Sequence, residues 1–242
     1  MGYSVSCTSA QCYVDGRCIP CSSGWYGTTQ PNVCYPCPGG TYSAASSATS
    51  LSVCIKCSIG TYSISGSTSC RTCPLGTYCS ADGIAVPTPC PIGTYGPSAG
   101  AVSVTQCLPS PPGTYVSTEG AAAPTPCPKS TYNPNSGATN STACIACPIG
   151  SMCEANGTVN PKLCAEDSYQ PSIGQWTCLR CPALSHTNTT GSTSIKACMC
   201  VSMLVASWSS ADSFQCVPGI AHYIMRVVIA YNAIQERLLS LS

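Results

Sequence analysis

A chain of 242 residues with nine Lys/Arg and eight Asp/Glu is nearly neutral, and charged residues make up only 7% of it. No basic stripe exists to neutralise phosphates, which excludes nucleic-acid binding and polybasic attraction to anionic membranes. One Phe and three Trp leave little for a hydrophobic core, while 23 cysteines read as a disulfide scaffold in an oxidising, extracellular or luminal compartment.

The N-terminal stretch "MGYSVSCTSAQC" (1–12) lacks the basic and apolar regions of a secretory signal. It matches the myristoylation pattern M-G-x-x-x-[ST], but acylation is cytosolic and this cysteine content is not. The expected reading is a mature chain or fragment whose signal has been removed. Residues 1–17 are taken as an irregular cap, with the pairing of Cys7, Cys12 and Cys18 left open.

From residue 18 to 200 one phrase recurs, as in "CIKCSIGTY" (54–62) and "CRTCPLGTY" (70–78). Its glycine falls at Gly24, Gly40, Gly60, Gly76, Gly93, Gly113 and Gly150, and Ser130, Asp167 and Leu184 fill the same slot in degenerate copies. Two residues later stand Tyr26, Tyr42, Tyr62, Tyr78, Tyr95, Tyr115, Tyr132 and Tyr169, with Met152 and His186 in the other two. The array therefore has ten units at steps of 16 to 20 residues. Pro after Cys fixes φ and Gly permits a left-handed residue, so C-P-x-G predicts a tight turn. Thr-Tyr then suits a short strand, and small polar spacers such as "SAASSATSLSV" (43–53) suit loops. No unit can bury a core alone, so bridges and stacking on neighbours must hold the array.

The missing cysteines give a pairing rule. Let the second cysteine of each C-x-x-C join the first of the next: Cys21–Cys34, Cys37–Cys54, Cys57–Cys70. At Cys73 the partner slot is Pro87, and the same interval holds an extra Cys79. Cys147 repeats the case, with Pro161 in the slot and an extra Cys153. After Cys107, both Ser110 and Pro124 replace a pair. The remaining expected bridges are Cys90–Cys107, Cys127–Cys144, Cys164–Cys178 and Cys181–Cys198, and Cys200–Cys216 closes the array in a loop over 201–216. In the loop-entropy account each bridge constrains the unfolded chain by roughly 3 kcal/mol. Zinc on the C-x-x-C pairs is the rival, but it fails because each lost cysteine is compensated inside one interval.

No catalytic residue, metal site or cofactor is expected. His186 fills a Tyr slot, His222 lies in an apolar tail, and the acids are scattered, so neither a carboxylate pair nor a Ser-His-Asp set has support. Three N-x-[ST] sequons, at Asn140, Asn156 and Asn188, are candidate glycan acceptors, and Ser/Thr- and Pro-rich runs would suit O-linked sugars. After Cys216 the chain changes character. Ile220, Ile224, Val227, Tyr231, Ile234 and Leu238 alternate steps of four and three, the seam of an apolar helix over 217–242, although the β-branched content would also suit a strand. That segment is too short and too charged to span a bilayer and is expected to be an assembly element.

The phrases "CPGGTYSAASSA", "CSIGTYSISGSTSC" and "CPLGTYCSADGIAVPTPCPIGTYG" resemble the ephrin-receptor-like cysteine-rich repeat, akin to growth-factor-like and tumour-necrosis-factor-receptor modules. The resemblance covers about residues 18–200, with departures at Ser110, Pro124, Ser130 and Leu184. Long arrays of such repeats occur in surface and flagellar-hair (mastigoneme) proteins of algae and other protists. The resemblance implies an extracellular rod rather than a reaction. The expected fold is therefore small, disulfide-rich and β/irregular, an elongated rod of about ten stacked repeats with a C-terminal apolar helix. The expected function is a secreted or surface structural glycoprotein that assembles with copies of itself, head to tail, into a fibre, flagellar hair or coat. A receptor-like or adhesive ectodomain is the alternative.

Overall fold

The computed structural model describes residues 6–30, 32–201, 204–210 and 213–218, the last two stretches by their backbone and Cys216. It divides into two compact units, Met1–Thr125 with Asn135–Ala143 and Pro126–Pro134 with Cys144–Ser242. The architecture is disulfide-rich and strand-rich, with eleven bridges. Among the described residues helical structure is limited to four 3₁₀ turns: Leu51–Val53, Val104–Gln106, Ser141–Ala143 and Ile195–Ala197. The expected helix over 217–242 lies outside the described residues, apart from Val217 and Pro218, which end the strand Ser213–Pro218.

The tight turn forms one residue later than C-P-x-G predicts. The N–H of Thr41 donates to the carbonyl of Pro38 at 3.0 Å, and the same bond joins Thr61 to Ser58, Thr94 to Pro91 and Thr131 to Pro128. Proline, or Ser58 in one copy, is thus the first residue of the turn, and glycine, or Ser130 in one copy, the third. Gly40, Gly60 and Gly93 hold φ of 84, 79 and 82°, which a type II turn demands at that place. The threonine is more than a strand former. Its hydroxyl donates to the same carbonyl, at 2.7 Å for Thr41 and 2.6 Å for Thr61, so one oxygen accepts two bonds from the residue that closes the turn.

The Thr-Tyr dipeptide after each turn pairs antiparallel with the dipeptide after the next cysteine slot. Thr41–Tyr42 opposes Ile55–Lys56, Thr94–Tyr95 opposes Leu108–Pro109, and Ser168–Tyr169 opposes Leu179–Arg180. Such two-stranded pairs consist of edges alone, which is why Pro36, Pro89 and Pro109 are accommodated on them.

Backbone bonds then tie each turn to the next along the chain. In the first unit the N–H groups of Gly24, Gly40, Gly60, Gly76 and Gly93 donate to the carbonyls of Ser43, Ser63, Cys79, Gly96 and Val116 at 2.8–3.0 Å. In the second unit Ser130 and Gly150 do the same to Cys153 and Gln170. The accepting residue is always the third after the next glycine slot. Ser43, Ser63, Cys79, Val116, Asn133, Cys153 and Gln170 occupy this place, and all are buried. With the second cysteines, they form the interior of each unit. Polar side chains are tolerated in that interior because none is left unpaired: Ser63 Oγ donates to Thr41 O at 2.8 Å, and Gln170 Nε2 to Thr177 O at 2.7 Å.

A second column of left-handed residues closes the spacers. Gly66, Gly83, Gly100 and Gly120 have φ of 72–78° and donate their N–H to Cys37, Cys57, Cys73 and Cys90. Gly174 and Gly191 do so to Cys147 and Cys164. Most of the backbone in these short elements is therefore satisfied by neighbouring turns rather than by long ladders.

Within the segment 1–17, expected to be irregular, residues 11–17 belong to a hairpin. Gln11–Val14 and Arg17–Pro20 form a hairpin around Asp15 and Gly16, both left-handed at φ 45 and 81°, the two-residue loop that Asp-Gly favours. It also carries the turn's bond pattern, since Gln11 N donates to Thr8 O and Cys21 N to Ala10 O. Ala10 thus stands in a glycine slot and Cys12 in a tyrosine slot. At the other end, the segment expected as a closing loop over 201–216 is a hairpin of Leu204–Ser210 with Ser213–Pro218.

Candidate functional site

The sulfurs are the chemistry this fold holds in place. Cys21 is bridged to Cys34, Cys37 to Cys54, Cys57 to Cys70, Cys90 to Cys107 and Cys127 to Cys144. Cys164 joins Cys178, Cys181 joins Cys198 and Cys200 joins Cys216. Cα separations for these are 5.6–5.8 Å, within the ordinary range for a bridge. Cys73 joins Cys79 and Cys147 joins Cys153 across six residues. Cys79 and Cys153 belong to the buried column, so these two bridges tie a turn to the interior line beside it. Cys7 joins Cys18, and Cys12 is the free cysteine among the described residues.

Where a bridge is absent the backbone takes over. Ser110 sits in a second-cysteine slot, is fully buried, donates its N–H to Gly93 O at 2.9 Å and its hydroxyl to Ala138 O at 3.2 Å. The slot keeps its ladder bond without the sulfur.

All three sequon asparagines are exposed. Asn140 precedes the 3₁₀ turn Ser141–Ala143, and its Oδ1 accepts the N–H of Thr142 at 3.0 Å as well as the Thr142 hydroxyl. Asn156 uses Oδ1 to accept the N–H of Lys129 at 3.0 Å. In both, the fold engages the amide oxygen, and Nδ2, the atom that would carry a glycan, forms no hydrogen bond among the described residues. Asn188 lies in an exposed spacer beside buried Thr187.

His186 is half-buried opposite Met199 in a strand pair, as its tyrosine slot dictates. Glu166, Asp167, Ser168 and Arg180 line a surface cleft of about 410 Å³ in the second unit, with Met152 and Thr177. Ser168 donates its hydroxyl to Ala165 O at 2.7 Å. Among the described residues no group of three His, Cys, Asp or Glu could hold a metal ion, and no helix is long and apolar enough to cross a membrane. His222 and the tail positions Ile220, Ile224, Val227, Tyr231, Ile234 and Leu238 lie outside the described residues.

Two stretches, residues 60–107 and 150–198, match the family model described as tyrosine-protein kinase ephrin type A/B receptor-like. Together they span less than half of the chain. No curated protein matches it. Each matched stretch begins on a slot glycine; the first contains the six-residue bridge Cys73–Cys79, and the second contains Cys153 but begins after its partner Cys147. The chain carries ephrin-receptor-like cysteine-rich repeats. Such repeats, with eleven disulfides, are the marks of an extracellular or surface domain.

Proposed function

We propose that the chain is an extracellular structural glycoprotein that associates with copies of itself into a fibre, flagellar hair or surface coat. In this reading residues 18–200 are an array of ten units and 217–242 is the assembly element. The reading is supported chiefly by the backbone bonds that pass from turn to turn, such as Gly40 N to Ser63 O and Gly150 N to Gln170 O, both 2.8 Å. A scaffold held by its own bridges and backbone needs no tail to complete it, so an apolar tail has its burial to find elsewhere. One end of a molecule binding another surface of the next is a head-to-tail contact, and such contacts propagate unless they close into rings. Glycans at Asn140, Asn156 and Asn188 would keep the exposed, charge-poor spacers soluble.

The test is assembly of the secreted full chain against a Val227→Asp/Tyr231→Asp variant, read by sedimentation and negative-stain images. The variant is expected to stay monomeric with its bridges intact. Normal polymerisation of the variant would remove the tail as the joint.

The second reading, a receptor-like or adhesive ectodomain, is favoured by the description of the matching family model. A chain that stays monomeric at all concentrations and is retained by a protein partner would favour it over the fibre.

A further inference from the structure

Within each unit, turn glycines lie under backbone that belongs to the second turn further on. In the first unit, a Cβ built on Gly24, Gly40 or Gly76 would stand 2.3, 2.0 or 2.0 Å from the carbonyl oxygen of Gly66, Gly83 or Gly120. In the second unit, one on Gly150 would stand 2.3 Å from Gly191 O. Contacts that skip a turn sort the slots into two alternating series. In the first series the approach relaxes from 2.3 Å at Gly24 to 2.9 Å at Gly60 and Gly93, and the next slot of that series holds Ser130. There a small side chain fits. In the second series Gly40, Gly76 and Gly150 keep approaches of 2.0–2.3 Å, and the last slot holds Leu184.

Leu184 is out of character. Its φ of 64° is left-handed, a conformation that strains a residue with a Cβ. Glycine would be free of that strain. The side chain gains no burial in return, being 61% exposed. Its slot is the one that, at Gly150, lies under the Gly191 carbonyl.

We propose that Leu184 is a stop: it closes this end of the backbone ladder to any further turn stacking in the same register, whether from added repeats or from a second copy. The ladder cannot be continued from molecule to molecule at this end, and a partner that binds there must use a different surface. The inference rests on the ladder's geometry and not on the fibre reading, and its test reads single chains.

The test is a lengthened full chain. A duplicate of residues 147–180 is placed between Cys200 and Val201, with Cys200→Ser in the parent sequence and Arg180→Cys in the duplicate, so that Cys216 keeps a bridge partner directly before Val201 and two turns are added. Two such chains are compared, both carrying Asp167→Gly, one with Leu184 and one with Leu184→Gly. Limited proteolysis with mass mapping of the added block is the readout. The block is expected to be cleaved at least about tenfold faster in the Leu184 chain, because a block that cannot stack stays open to the protease. Equal protection in both chains would overturn the proposal. So would equal cleavage in both, since glycine is the residue the position is held to need.

Discussion

Asn156 Oδ1 accepts the N–H of Lys129 at 3.0 Å, and Asp82 Oδ1 accepts the N–H of Ile59 at 2.9 Å. The two acceptors precede the spacer glycines Gly157 and Gly83, and each follows a six-residue bridge, Cys147–Cys153 or Cys73–Cys79. A carboxylate and an amide oxygen therefore do the same work at equivalent places, holding a spacer to the turn before it.

Asn156→Asp should then keep the bond while removing any sugar at that site. Asn156→Ala should lose it, at a cost of about 1 kcal/mol. Thermal unfolding of glycosidase-treated protein is the measurement, with Asn156→Asp close to the parent and Asn156→Ala lower. Equal losses in both variants would show that the Lys129 contact contributes nothing.

Two left-handed glycines separate strain from steric exclusion. Gly16 has φ 81° and nothing within 4 Å of the place a Cβ would take, so Gly16→Ala should cost only the backbone strain, about 1–2 kcal/mol. Gly76 has φ 77° and the Gly120 carbonyl oxygen 2.0 Å from that place. Gly76→Ala should add backbone displacement to strain, more than about 4 kcal/mol in all, a loss of the kind that core overpacking produces. Secretion yield and unfolding midpoint should fall sharply for Gly76→Ala and modestly for Gly16→Ala.

The turn and its cysteines were legible because their physics restricts residue choice: only glycine sits easily at φ near 80°, and a bridge needs sulfur. The buried column was not. Ser43, Val116 and Gln170 share neither size nor polarity, and what they have in common is a backbone carbonyl that serves the preceding turn. The N-terminal hairpin does carry a signal, Asp15-Gly16, but its membership of the series is masked because Ala10 replaces glycine and Cys12 replaces tyrosine. Threonine after the glycine reads as a strand former, whereas its hydroxyl closes the turn on the Pro38 carbonyl. A residue chosen for two reasons shows only the commoner one in a sequence.

Cys12 supplies a count that can be checked directly. It is half-buried, stands in a tyrosine slot and has no bridge, while the neighbouring Cys7 and Cys18 are joined. Thiol titration of denatured, unreduced monomer should find one thiol per chain, and Cys12→Ser should abolish it without changing the unfolding midpoint. Three thiols would mean that the Cys7–Cys18 bridge is absent.

How the sulfurs are joined decides whether the turns can be tied forward along the chain at all. Non-reducing peptide mapping of natively secreted protein measures that. The predicted result is Cys37 with Cys54, Cys57 with Cys70, Cys73 with Cys79 and Cys147 with Cys153, each second cysteine linked forward along the chain. Recovery of Cys54 and Cys57 together on one zinc ion, or bridged to each other, would contradict it.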